Sequence, residues 1–130
     1  MILTDTSILI EWSRMPTIGV ARTLLSGSPA VCGITVAELY EGVRTEPERA
    51  DVAVTLRRFG RVPIDEPVWE LTGCIMGAMA RRGTKVKFTD AAIAATAIHH
   101  GVPLWTRDRH FTWIQGAFPE LDLFDESTTT

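Results

Sequence analysis

Met1-Ile-Leu-Thr-Asp5-Thr-Ser7 is the stretch of sequence that decides the fold. A short apolar run that ends at a carboxylate and continues into hydroxyl side chains is typical of a buried strand followed directly by a capped helix. The run Ala30-Val-Cys-Gly-Ile34 repeats this order, and Thr35 and Glu38 after it have the spacing of a capping box at a helix start. Strands that alternate with helices pair in parallel, so we expect a parallel sheet with helices on both faces.

The same alternation continues along the chain. Further strands are predicted at 61–64, 102–105 and 121–124, and Pro63 favours an edge position for the first of these. Helices are predicted over 18–25, 46–59, 66–82 and 89–100, and Met15-Pro16 is expected to interrupt the first helix. The predicted fold class is therefore α/β, a three-layer α/β/α sandwich with a short parallel sheet of four to five strands. We expect residues 1–124 to form a single domain and residues 125–130 a loose C-terminal tail.

Length and composition exclude several classes of protein. The chain has 130 residues, 45% hydrophobic and 22% charged, which suits one globular domain and excludes a disordered or collagen-like chain. No run approaches the ~20 apolar residues that cross a bilayer, so no membrane association is expected. The start of the chain lacks the basic and long apolar segments of a secretion signal, so the cytoplasm is expected. With Cys32 and Cys74 as the two cysteines, neither a disulfide scaffold nor a cysteine-based zinc site is expected.

The charge pattern leaves two interpretations open. The formal net charge is −3, which by itself does not point to a nucleic-acid partner. Four basic residues nevertheless fall within seven positions, namely Arg81, Arg82, Lys85 and Lys87. They would give a modest surface for a polyanion, and a solvated helix end with its loop accounts for them equally well.

Four carboxylates fall where a parallel sheet would bring them together. Asp5 and Asp108 follow the first and fourth predicted strands, and Glu38 and Asp90 stand near the starts of helices. The carboxyl ends of parallel strands and these helix starts share one edge of the sheet. Two unit charges 4 Å apart repel by roughly 4 kcal/mol at an effective dielectric constant of 20, so such a cluster calls for a cation. Oxygen ligands favour Mg²⁺ or Mn²⁺, and a carboxylate-held ion at this edge suggests phosphoryl chemistry.

Each of these acids also has a purely structural interpretation. Asp5 could cap the helix after it, and Glu38 could complete the capping box with Thr35. Asp90 favours the positive end of its helix dipole, and Asp108 could close a turn with a neighbouring arginine. The functional interpretation therefore depends on all four reaching the same edge.

Other catalytic patterns are weaker. No Gly-rich phosphate-binding loop occurs, and Ser7 has no nearby histidine that would make it a triad nucleophile. His99, His100 and His110 lack metal-ligand spacing, so a structural or surface role is expected for them.

Four blocks of the sequence, taken in order, resemble the PIN-domain ribonucleases, and among them the VapC-type toxins of bacterial type II toxin–antitoxin systems. The blocks are Met1-Ile-Leu-Thr-Asp5-Thr-Ser-Ile-Leu9, Ile34-Thr-Val-Ala-Glu38-Leu-Tyr-Glu-Gly42, Asp90-Ala-Ala-Ile-Ala-Ala95 and Leu104-Trp-Thr-Arg-Asp108-Arg-His-Phe111. The resemblance runs from residue 1 to about residue 124. It implies a PIN-like fold and a Mg²⁺- or Mn²⁺-dependent endoribonuclease that cleaves RNA phosphodiester bonds.

The resemblance also assigns roles to residues and implies partners. Asp5, Glu38, Asp90 and Asp108 would be the catalytic and metal-binding acids, with Thr6 or Ser7 and Thr106 as supporting hydroxyls. It implies a homodimer and a cognate VapB-type antitoxin that occludes the active site. Arg107 stands where relatives often carry a small polar residue, and it would add a positive charge at the cleft. Glu41, one turn after Glu38, remains open as an auxiliary ligand.

RNA contacts are expected from the basic residues and from exposed aromatic rings. Arg81, Arg82, Lys85, Lys87 and Arg107 would hold the RNA backbone. Trp12, Trp69 and Trp113 are candidates for stacking on bases, and core packing is the alternative for each. The early apolar helices, around Ile8 to Trp12 and over 18–25, would either receive an antitoxin helix or pack within the chain.

Two other functions compete with the nuclease. A receiver-type signalling domain also carries acids at this edge, but it calls for paired acids after the first strand and a late lysine, whereas Asp5 stands alone and Lys87 is the last lysine. A catalytically silent PIN-like module that binds RNA or protein is the second alternative, since a fold does not guarantee chemistry.

Overall fold

The computed structural model describes residues 1–14 and 17–128, so the expected break at Met15-Pro16 and the last two residues of the predicted tail lie outside it. The strands in the described ranges are β1 (Ile2–Thr4), β2 (Pro29–Val31), β3 (Gly60–Arg61) and β4 (Leu104–Trp105). The α-helices are α1 (Thr6–Arg14), α2 (Ile18–Ser26), α3 (Gly33–Glu41), α4 (Glu46–Leu56), α5 (Glu66–Arg81), α6 (Phe88–His100) and α7 (His110–Ala117). A short 3₁₀ helix spans Glu126–Thr128.

The four strands form one parallel sheet in the order β3-β2-β1-β4. Successive residues of a strand face opposite sides, so β1, β2 and β4 contribute to the cores on both faces of the sheet, whereas both residues of β3 are exposed. Leu3, Ala30 and Leu104 pack with the helices α5, α6 and α7 on one side. On the other side, Val31 and Trp105 belong to two smaller clusters with residues of α1, α2 and α4. The predicted three-layer α/β/α sandwich is therefore confirmed.

The expected fifth strand is reduced to a single bridge. In the described chain, the segment 121–124 pairs with β4 at Leu104 and Leu123 alone. The N–H of Leu104 donates to Asp122 and its carbonyl accepts from Phe124. The carbonyls of the residues on either side of Leu104 accept instead from Leu3 of β1 and from Asp5, directly after it. Because β4 is two residues long, a single residue presents its backbone to a fifth partner. The sheet has four strands, the lower of the two predicted numbers.

Two predicted boundaries are wrong in an informative way. The strand β3 ends at Arg61, before Pro63, although it does lie at the predicted edge of the sheet. The helix α3 begins at Gly33, so Thr35 lies inside it and the predicted capping box does not form. As a result, Glu38 stands in the second turn of α3 rather than at its start.

A loose tail is predicted from residue 125, and within the described part of it residues 126–128 form a 3₁₀ helix. The 3₁₀ helix at 126–128 packs against α2. A Cβ at Gly19 of α2 would lie 3.3 Å from Cγ of Glu126, so the glycine permits this close approach. Within the described residues, no helix combines the length and apolar character needed to cross a membrane.

Candidate active site

Three aspartates from separate segments meet at the carboxyl edge of the sheet. Asp5 is buried at the end of β1, Asp90 lies in the first turn of α6, and Asp108 follows β4. Burial raises the pKa of Asp90, and the charges of Asp108 and Asp5 raise it further. The carboxylates of Asp5 and Asp108 are thus close enough to disfavour the ionised form of Asp90, and a bound cation would relieve this repulsion.

Two hydroxyls hold the carboxylate of Asp5. Ser7 Oγ and Thr106 Oγ1 donate to Oδ2 of Asp5 at 2.9 and 2.8 Å, and the two hydroxyl oxygens lie 3.3 Å apart. The backbone N–H of Asp108 in turn donates to Thr106 Oγ1 at 3.0 Å. Both hydroxyl bonds go to Oδ2, and no described residue donates to Oδ1, which leaves that oxygen for a ligand. The network also ties the loop after β4 to the start of α1.

Glu38 is held separately. Thr6 Oγ1 donates to Oε1 of Glu38 at 2.9 Å, so the neighbouring hydroxyls Thr6 and Ser7 serve different carboxylates. Among the described residues, Glu38 is outside the group of metal-ligating atoms formed by Asp90, Asp108 and a third residue. It lines a groove of about 360 Å³ beside the edge. The structure therefore joins Glu38 to the site through Thr6, the residue after Asp5.

His110 is the site residue that the sequence analysis missed. Its Nδ1 lies 3.0 Å from Oδ1 of Asp108, and its backbone N–H donates to the same oxygen at 2.9 Å. One ligand atom each from Asp90, Asp108 and His110 all fall within 4.8 Å of one another. Trp113 packs on the imidazole at 4.7 Å between ring centroids. The sequence signal that could have identified His110 as a site residue was its position two residues after Asp108, at the start of α7.

The predicted phosphate-binding residues divide into two groups. Arg81, Arg82, Lys85 and Lys87 are all exposed. The charge of Lys87 lowers the pKa of Asp90, so Lys87 lies close enough to act electrostatically on the acidic site.

Arg107, which is predicted to contact RNA, forms ion pairs within the protein. Its Nε and Nη2 donate to the two carboxylate oxygens of Glu11 at 3.1 and 3.0 Å, and Nη1 pairs with Glu126. These bonds raise the pKa of Arg107 and lower that of Glu11. The guanidinium therefore fastens the C-terminal 3₁₀ helix to α1 and is not a free charge at the cleft.

The aromatic candidates are placed differently from one another. Trp12 is partly buried, and the guanidinium of Arg58 lies 6.0 Å from its ring centroid. Trp69 is exposed and lies parallel to Phe88 at 6.0 Å between centroids. Trp113 is exposed beside His110, so it is the predicted stacking residue nearest to the acidic edge.

An apolar groove of about 400 Å³ lies between α1, α3 and α4, and it shares Ile10, Leu39 and Val52 with the groove that Glu38 lines. Leu9, Ile10 and Trp12 of α1 form one wall, and Leu39 and Val52 lie opposite. Ile10 of α1 lines this groove and is 43% exposed.

These features define a small parallel α/β protein whose sheet edge gathers acidic side chains from distant segments. Residues 2–116 match the PIN domain, and the chain belongs to the PIN domain family. Ribonuclease VapC1 of Methanocaldococcus jannaschii is 31% identical over 111 residues, which cover 85% of this chain and 78% of that protein.

Solved structures share the fold over nearly the whole chain. The FitAcB structure from Neisseria gonorrhoeae is 27% identical, with a TM-score of 0.78, and covers 98% of this chain and 99% of its own. The VapBC-1 structure from nontypeable Haemophilus influenzae has a TM-score of 0.80 and covers 98% of this chain and 100% of its own. At 20% identity, the second likeness shows the fold alone.

Proposed function

We propose that this protein is a VapC-type toxin, a Mg²⁺- or Mn²⁺-dependent endoribonuclease that a cognate antitoxin neutralises. The observation that carries the proposal is the convergence of Asp5, Asp90 and Asp108 at one sheet edge, with the charges of Asp5 and Asp108 raising the pKa of Asp90. Membership of the PIN family and the similarity to Ribonuclease VapC1 support the same reaction class.

The donor set fits a divalent ion. Asp5, Asp90 and Asp108 would bind it through carboxylate oxygens, and the free oxygen of Asp5 and the nearby His110 nitrogen are further donors. Oxygen-rich sites favour Mg²⁺, and a nitrogen donor shifts the preference toward Mn²⁺. When bound, the ion supplies charge neutralisation for a phosphodiester and acidifies a coordinated water.

The remaining site residues would orient the metal ligands and the attacking water and hold the RNA. Ser7 and Thr106 fix the orientation of Asp5 by donating to a single oxygen. Glu38, which accepts a hydrogen bond from Thr6 and lies outside the compact acidic group, would orient the attacking water as a general base. The exposed basic residues from Arg81 to Lys87 would hold the phosphates on either side of the scissile bond, with Lys87 nearest to Asp90.

The direct test is cleavage of a mixed cellular RNA pool by the purified protein, freed of antitoxin. We expect discrete fragments with Mg²⁺ or Mn²⁺, none with EDTA, and none with Asp90→Asn. Asp122→Asn is the matched control, since this exposed aspartate lies away from the acidic edge and should leave cleavage unchanged. Absence of both cleavage and Mn²⁺ binding would instead establish the silent PIN-like binding module, which the complete set of acids disfavours.

We infer that the antitoxin inserts an apolar helix into the groove beside α1. The groove has the apolar lining and the exposed Ile10 that helix-in-groove recognition uses. Ile10→Glu should abolish co-purification with the antitoxin encoded alongside, whereas Val54→Glu should not, since Val54 is exposed on α4 outside the groove lining. Equal loss in both variants would remove the groove from the interface. We further propose that the protein is cytoplasmic and that it forms a homodimer. Light scattering would test the dimer through its mass.

A further inference from the structure

A second cluster of metal-ligating side chains lies away from the acidic edge. It consists of Asp65, which precedes α5, and the adjacent His99 and His100 at the end of α6. His99 stands nine positions after Asp90 in α6, a distance of about 14 Å along the helix axis. The cluster therefore belongs to a different part of the molecule from the active site.

Asp65 departs from the ordinary behaviour of its position. It is the N-cap residue of α5, where an aspartate normally accepts a bond from the first turn, yet its side chain makes no capping bond. Its Oδ2 instead lies 3.5 Å from Nε2 of His99 and 3.6 Å from Nε2 of His100. A carboxylate that makes no capping bond and lies close to two imidazoles can share a ligand with them.

The spacing of these atoms suits a small divalent ion. One ligand atom from each of the three residues falls within 4.8 Å of the others. A tetrahedral zinc ion with ligand bonds of about 2.0–2.1 Å separates its ligand atoms by about 3.3–3.4 Å, close to the 3.5 and 3.6 Å between Oδ2 of Asp65 and the two imidazole nitrogens. The three side chains are between 22% and 43% exposed, so an ion can reach them from solvent.

The surroundings also favour a cation. The last carbonyls of α6 give this end of the helix a partial negative charge. His100 Nε2 lies 2.7 Å from the carbonyl oxygen of Pro63, in the connection between β3 and α5. An ion bound through Nε2 of His100 would replace that hydrogen bond. Through Asp65 it would connect the segment 63–65 to the end of α6.

We propose that Asp65, His99 and His100 form a binding site for a divalent transition-metal ion of the zinc class, with water completing the coordination. The pair of imidazoles and one carboxylate is a donor set that zinc accepts and that magnesium does not prefer. A metal ion at this site connects the β3–α5 segment to α6. The site is independent of the nuclease chemistry.

The test uses untagged protein carrying Asp90→Asn and Asp108→Asn, so that the acidic edge does not compete for metal. Titration with Co²⁺ is followed by its visible absorption, and Zn²⁺ is then added as a competitor. We expect one equivalent of Co²⁺ to bind, Zn²⁺ to displace it, and the melting temperature to rise by several degrees with either ion. His99→Ala should weaken Co²⁺ binding at least tenfold and abolish the rise in melting temperature, and Asp65→Asn should do the same.

Control variants separate this site from the active site and from a folding defect. His110→Ala in the same background should leave Co²⁺ binding unchanged. Because His99 makes no hydrogen bond to the described backbone, His99→Ala should retain the circular dichroism of the parent protein. Failure to bind one equivalent of Co²⁺, or binding that His99→Ala and Asp65→Asn leave intact, would overturn the proposal. Neither result bears on RNA cleavage, which is measured on the protein with its acidic edge intact.

Discussion

Replacing Thr106 by valine is the most direct test of how the acidic site is held. Valine keeps the shape and branching of threonine but removes the hydroxyl that donates to Asp5 at 2.8 Å. The same hydroxyl accepts from the N–H of Asp108 at 3.0 Å and lies 3.3 Å from Ser7. One substitution therefore removes the link between two of the three acids.

The expected loss follows from these bonds. A hydrogen bond to a charged group contributes about 1.5–3 kcal/mol, and the partial exposure of Thr106 puts its bond at the lower end, about 1.5–2 kcal/mol. For a chain of this length, that corresponds to a fall in melting temperature of about 5–8 °C. Residues that orient metal ligands typically change affinity or activity by about 10–100-fold, so Mn²⁺ binding and RNA cleavage should fall by this factor.

Urea unfolding in EDTA measures the loss of stability, and Mn²⁺ titration with RNA cleavage measures the functional loss. Thr112→Val is the matched control, because its exposed hydroxyl donates to the carbonyl of Arg109 and touches none of the acids. It should change the free energy of unfolding by less than about 0.5 kcal/mol. A Thr106→Val protein as stable and as active as the parent would refute the view that this hydroxyl positions Asp5.

Three further predictions follow from charges in the structure. Asp90→Asn should abolish cleavage yet stabilise the metal-free protein at pH 7. The raised pKa of Asp90 makes the folded state hold its proton longer than the unfolded chain, so stability falls as pH rises from the ordinary value of about 3.9 through the raised value. Urea unfolding in EDTA at pH 4 and pH 7 should show that this dependence is lost in the variant, and an Asp90→Asn protein less stable at pH 7 would contradict the reasoning. Arg107→Met should cost roughly 1–3 kcal/mol in thermal unfolding, because it leaves Glu126 without its cation, and should leave RNA affinity unchanged. A marked loss of RNA affinity would restore Arg107 to the RNA interface. Lys85→Ala with Lys87→Ala should weaken RNA binding and make the slope of log affinity against log salt shallower by about 1.4. An unchanged slope would place both lysines outside the interface.

The acidic edge was predictable because it depends on topology. Once a strand is recognised before Asp5 and another before Asp108, parallel pairing brings both to the same edge whatever lies between them. The hydroxyl neighbours were predictable for the same reason, since Thr6, Ser7 and Thr106 are adjacent to these acids in sequence. Strand ends were predicted less well, because the sheet stops where pairing partners stop, as at Leu104.

Contacts between distant side chains could not be predicted in this way. The bonds from Arg107 to Glu11 and Glu126 depend on where the chain end packs, and the sequence pattern of 125–130 carries no signal of that packing. The cluster of Asp65 with His99 depends likewise on how α5 lies against α6, with no spacing motif to announce it.

The sequence by itself determined the parallel α/β fold, the edge where the acids gather and the family to which the chain belongs. These follow from local periodicity and from the order of elements, which constrain topology before any side chain is placed. Only the tertiary structure decided that Thr6 serves Glu38, that His110 joins Asp108, and that Arg107 is bound within the protein. The physical reason is that hydrogen bonds and ion pairs form over about 3 Å, whereas a sequence pattern fixes positions only to within a helical turn.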